Sequence, residues 1–138
     1  MTTGVIQILI GNNGVRSLVG LNAEGDKYKV YPLIVPQQEK HPYIVVRLTG
    51  RPPIECKESS PSNFFASVEV LCYHQNYEGA LELEEAVINA LDGITGTYGG
   101  VRINDLSYTD TSEDWVNFDS NGLYVRRPTF TGHESTAT

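Results

Sequence analysis

The 138-residue chain has no run of basic residues, no apolar stretch long enough to cross a bilayer and no cysteines at metal-binding spacing. Each absence removes a class of function. The 10 Lys and Arg, among them Arg16, Arg47, Arg51 and Arg102, are scattered and outnumbered by 17 Asp and Glu, for a net charge of −7. A protein that grips nucleic acid through its phosphates needs clustered cations, so tight DNA or RNA binding is disfavoured, and an acidic surface repels a polyanion. The first apolar stretch, residues 5–10, contains Gln7 and falls far short of the ~20 apolar residues a membrane helix requires. It lacks the basic flank of a signal peptide, which points to a cytoplasm-like compartment. Cys56 and Cys72 are sixteen positions apart, without a CxxC or a nearby His pair, so local spacing builds neither a zinc set nor a redox dithiol. A reducing compartment disfavours a disulfide between them.

What is present is a single domain. A chain of this length and 40% hydrophobic content buries about two thirds of its unfolded surface around one core. Thr2 or Thr3 is placed to cap a short helix over residues 5–10, although Val5, Ile6, Ile8 and Ile10 also suit a strand. The Gly11-Asn12-Asn13-Gly14 run breaks it before residues 15–19 resume, and residues 21–27 read as a polar loop. Residues 28–35 form a strand that Pro32 confines to an edge or a bulge. Residues 36–42 turn between two prolines, and residues 43–49 are a β-branched strand closed by Gly50. Residues 50–63, with three prolines, three serines and four charges, form a long exposed loop.

Residues 64–74 alternate, with Phe64, Ala66, Val68, Val70 and Cys72 on the buried face. Cys72 is then a small core hydrophobe, and Cys56 a free thiol in the loop. Asn76 is placed as the N-cap of a helix ending at Leu91, with Gly93 as its stop. Its stripe is Tyr77, Ala80, Leu81, Glu84, Val87, Ile88 and Leu91, of which all but Glu84 are suited to pack on a sheet, while Glu82 and Glu85 face solvent. Residues 93–100 read as a turn-rich link. Two further strands, 101–111 and 123–131, are joined by an acidic loop closing at Asn121-Gly122, and residues 132–138 read as a disordered tail. The pattern predicts an α+β domain, a largely antiparallel sheet with helices packed on one face.

No catalytic motif emerges. His41, His74 and His133 have no partners at metal spacing, and His74 reads as a polar strand end rather than a general base. Glu78, Glu82, Glu84, Glu85 and Asp92 make an acidic helix without the sharp glycine turn of a calcium loop. Asp105, Asp110, Glu113, Asp114 and Asp119 raise a metal-dependent hydrolase or nuclease as an alternative, with Asp110 and Glu113 as its test residues, but loop solubility explains them equally well. Trp115, the single tryptophan, sits with Val116 and Phe118 among these acids. It serves either as a partner contact or as a local plug over the sheet. The loop holding Arg51, Glu55, Lys57 and Glu58 is a second candidate interface.

Five short motifs occur in an order that resembles the tail-completion, or tail-terminator, proteins of long-tailed bacteriophages. They are Val19-Gly20, Val30-Tyr31-Pro32, Pro42-Tyr43-Ile44-Val45, Glu69-Val70-Leu71-Cys72-Tyr73 and Ala90-Leu91-Asp92-Gly93. The resemblance spans residues 5–131. It departs from the family at an insertion over residues 21–29, at the Trp115 segment and in the polar tail. The resemblance implies a virion protein, assembled in the host cytoplasm, that forms a homo-hexameric ring at the head-proximal end of the tail. Such a ring stops polymerisation of the tail tube protein and meets the head connector protein. DNA passes through its channel without specific binding, and it needs no enzyme activity, cofactor, metal or membrane. Another minor head-tail joining component is the alternative within the same class.

Overall fold

The computed structural model describes residues 1–36, 39–53, 63–118 and 121–136. The chain runs α1 (Thr2–Ile10), α2 (Asn13–Val19), β1 (Val30–Pro32), β2 (Tyr43–Gly50), β3 (Asn63–His74), α3 (Tyr77–Leu91), β4 (Ile94–Tyr98), β5 (Val101–Phe118) and β6 (Asn121–Thr136). The six strands form one mixed sheet in the order β1-β2-β3-β6-β5-β4. Only the β1–β2 pair is parallel; the other four pairs are antiparallel. Pro32 lies at the end of the edge strand β1, where a missing N–H costs no ladder bond.

Alternation in β3 divides the apolar side chains between the two sheet faces. Ala66, Val68, Val70 and Cys72 join Ile44, Val46, Ile103 and Phe130 in the larger core cluster. Every helix contributes to that cluster: Val5 and Leu9 from α1, Val15 and Val19 from α2, and Leu83, Val87, Ala90 and Leu91 from α3. Burying side chains of this kind contributes about 1.5–3 kcal/mol each. The alternate residues Tyr43, Val45, Leu71, Leu123 and Val125 form a second, smaller cluster that has no helical member.

Caps explain where the helices begin. Asn12 accepts from the Val15 amide at the start of α2, and Asn76 accepts from the Gly79 amide at 2.7 Å at the start of α3. These bonds satisfy amides that have no partner within the helix. The threonine cap predicted for the first helix does not form. Thr2 and Thr3 lie inside α1, whose N-cap is Met1 without a side-chain bond.

The stripe of α3 is rotated from the sequence pattern. Leu83 and Ala90 are buried, whereas Tyr77 and Leu81 are 41% and 37% exposed. Glu84, excluded from the packing face in the sequence reading, is buried because Arg126 reaches it from β6. Glu82 and Glu85 are exposed as expected.

Three predicted irregular segments are strands. Residues 94–98 form β4 and pair with β5. The acidic segment after residue 111 continues β5 to Phe118, and Asn121 and Gly122 already belong to β6, opposite Phe118 and Asn117. The predicted tail is held over residues 132–136 between β3 and β5. For the last two the reason is a partner distant in sequence, Arg126 opposite Glu113 and Arg51 at Glu134, which offsets the charge that makes each segment resemble a loop. The uncharged residues 94–98 instead pair with the adjacent start of β5.

Candidate functional site

The candidate contact surfaces lie at two ends of the β5–β6 hairpin. At one end, Glu134 of β6 is 3% exposed and receives both the Met1 nitrogen and Arg51 Nε. Arg51 also lays its guanidinium 3.6 Å from the centroid of the Phe64 ring, and Pro53 bridges to Phe64. Burial pushes the Glu134 carboxyl up, but the hydrogen bonds from Met1 and Arg51 outweigh it and hold the group below the ordinary carboxylate range. Arg51 is therefore a clamp at the root of the predicted interface loop. Glu55, Lys57 and Glu58, and with them Cys56, lie outside the described residues.

At the other end, α3 and the hairpin meet through Arg126. Its Nε and Nη2 face the two oxygens of Glu84, and its Nη1 pairs with Glu113 on β5. Tyr77 donates its hydroxyl to Glu113 at 2.8 Å. That bond, then Arg126, keeps the Glu113 carboxyl below its ordinary range, while the carboxylates raise Arg126 further. Beside this network, the Tyr77 and Tyr124 rings meet edge to face at 5.6 Å. Trp115 stands opposite Tyr124 in the ladder and is 53% exposed. Its indole lies over Gly122, where any Cβ would overlap the ring.

Trp115 is thus on a paired strand rather than at a loop tip. It belongs to an exposed aromatic surface with Tyr77 and Tyr124, the type of side chain enriched at protein contacts. Phe118 ends β5, and its side chain lies outside the described residues. The two predicted interface groups are not brought together. Glu134 pairs with Ile103, and Trp115 is twelve positions further along β5, a span of roughly 35–40 Å at the rise of a strand. Sequence reasoning missed Tyr77, Tyr124 and Arg126 as members of this surface. Alternation of Tyr124 with Arg126 was the available signal.

Of the acids in the candidate metal cluster, Asp119 lies outside the described residues, and each of Asp110, Glu113 and Asp114 is engaged in bonds of its own. Among the described residues, no three His, Cys, Asp or Glu side chains stand close enough to share a metal ion. Asp110 binds the Thr111 amide, Glu113 binds Tyr77 and Arg126, and Asp114 binds the Trp115 amide and Arg127. His74 packs its ring on Gly79 and accepts from the Asn76 amide, so it orders the strand-to-helix turn. Burial, and then His41, lowers its pKa. Cys72 carries a free thiol, fully buried, whose pKa burial pushes well up, which makes it an inert core group. Among the described residues, no helix is long and apolar enough to cross a membrane.

No protein-family profile and no curated protein sequence matches the chain. Among solved structures, the fold is similar to that of a chain in the virion of a native gene transfer agent particle. The TM-score is 0.69 over 98% of this chain and 95% of that chain, at 16% identity. Similarity at that identity is one of fold, and it takes in nearly the full length of both chains, so this domain is built on the architecture of a component of a virion.

Proposed function

We propose that the protein is a structural component of a phage-like particle, and within it the ring that caps the head-proximal end of the tail. The observation that carries the particle role is the fold shared along 98% of the chain with a component of a gene transfer agent virion. The finer assignment rests on the ordered motifs from Val19-Gly20 to Ala90-Leu91-Asp92-Gly93. In this reading six copies close into a ring, match the last ring of tube protein on one face, and offer the head connector protein the other. Heterologous contacts close the ring without a free edge, and its outer face denies further tube subunits a landing site, so tube growth stops.

The charge and the surfaces are consistent with that task. A net charge of −7 suits a channel through which DNA slides without sticking. Two contact regions at opposite ends of one hairpin, Arg51 with Phe64 and Trp115 with Tyr124, give a subunit the means to meet different neighbours. A role as another minor head-tail joining component uses the same surfaces without the capping step. The metal-dependent hydrolase reading calls on Asp110 or Glu113 with a divalent metal, and each side chain is engaged elsewhere.

Native mass measured over a wide concentration range, with and without purified tail tubes, tests the proposal. A closed hexamer, alone or on tube ends, supports it. A monomer that also leaves tube ends bare sinks it.

A further inference from the structure

Strand β5 has neighbours on both sides for only its first third. β4 covers residues 101–106, and from Ser107 onward the only neighbour among the described residues is β6. Residues 107–115 are exposed at every position except Thr111, which is intermediate. An open edge of this length is a template on which another strand can pair.

Three of the amides along this edge are already occupied. Successive residues of an antiparallel strand send their N–H groups alternately toward and away from the neighbouring strand. Thr111 stands opposite Pro128, and its N–H donates to Asp110 Oδ1 at 2.8 Å. Four positions on, and so on the same edge, the Trp115 N–H donates to Asp114 Oδ1 at 2.8 Å. Before the bulge that interrupts the β5–β6 register, the Tyr108 N–H donates to Asp92 Oδ1 at 3.0 Å, at the end of α3. Three amides of the open stretch are each taken by an aspartate. Asp114 is further held by Arg127 Nη2 at 3.3 Å through its second oxygen.

We infer that Asp92, Asp110 and Asp114 guard the open edge of β5 against pairing with the same edge of a second copy of this chain. Two effects act together. The carbonyls of an incoming strand need the amides that the carboxylates hold. Antiparallel pairing would also bring Asp110, Glu113 and Asp114 of one copy close to the same three acids of the other, and like charges across a ladder destabilise it. The guard lets the subunit expose Trp115 and Tyr124 on the adjoining surface without the edge beside them sealing onto another subunit.

The test replaces both in-strand aspartates with a strand-favouring residue, Asp110→Thr with Asp114→Thr, in the full chain. Sedimentation velocity gives the mass distribution over a dilution series, and amide hydrogen exchange reports on Thr111 and Trp115. The variant is expected to pair at a concentration about tenfold or more below any pairing of the wild type, with slower exchange at both amides in the paired species. A second variant, Asp110→Asn with Asp114→Asn, keeps an acceptor beside each amide and removes only charge, so it covers the case in which the threonine pair fails to fold. Its shift is expected in the same direction and smaller. A mass distribution and exchange pattern unchanged from wild type in the folded variants overturns the inference.

Discussion

Arg126 on β6 and Glu84 on α3 form the ion pair that ties the helix to the long hairpin, with both side chains less than one fifth exposed. The guanidinium faces the carboxylate with two nitrogens, a geometry that fixes direction as well as distance. Arg126→Ala leaves Glu84 buried without its cation and is expected to cost about 3 kcal/mol. Joint replacement, Arg126→Met with Glu84→Leu, removes both charges and is expected to cost much less. Urea unfolding of the two variants separates these outcomes, and equal losses would contradict a desolvated pair.

Glu134 sets an acid limit on stability. Its folded pKa is depressed, so its contribution is complete above the ordinary carboxylate range and is lost as pH falls through the lower folded value. Thermal unfolding of the wild type should weaken on acidification from the ordinary carboxylate range downward. Glu134→Gln should be less stable at neutral pH by about 2–3 kcal/mol and flatter over that acid window. A variant that follows the wild-type acid limb would contradict the assignment.

Asn76 is a pure capping residue in this structure, since its side-chain oxygen serves the Gly79 amide at the start of α3. Asn76→Ala should lower stability by about 1 kcal/mol, and Asn76→Asp should restore it. Chemical denaturation with an unchanged slope is the check.

Leu33 is a non-glycine residue at φ 63° and 66% exposed, on the turn that follows β1. The left-handed region costs a leucine about 1 kcal/mol, and asparagine tolerates it better. Leu33→Asn is therefore expected to stabilise the monomer slightly. A clear loss of stability would mean that the exposed side chain makes a contact within the fold.

Much of the fold was legible because its signals are local. The alternation of Ala66, Val68, Val70 and Cys72, the Asn76 cap and the β-branched run of β2 need only neighbours in sequence to be read. The misreadings of residues 112–118 and 132–136 share one cause. Residues 112–118 carry acids whose compensating bases, Arg126 and Arg127, lie more than ten positions away, and residues 132–136 are polar yet sit between β3 and β5 with Glu134 buried. Propensity has no access to such partners. The candidate surface suffered in the same way: Trp115 was visible with Val116 and Phe118, its neighbours in sequence, but Tyr77 and Tyr124 join it only once α3 and β6 are folded together.

The capping role is tested most directly by electron microscopy of tails assembled in the absence of this protein. The account predicts tubes far longer than normal with no heads attached. Tails of normal length that still join heads would contradict it.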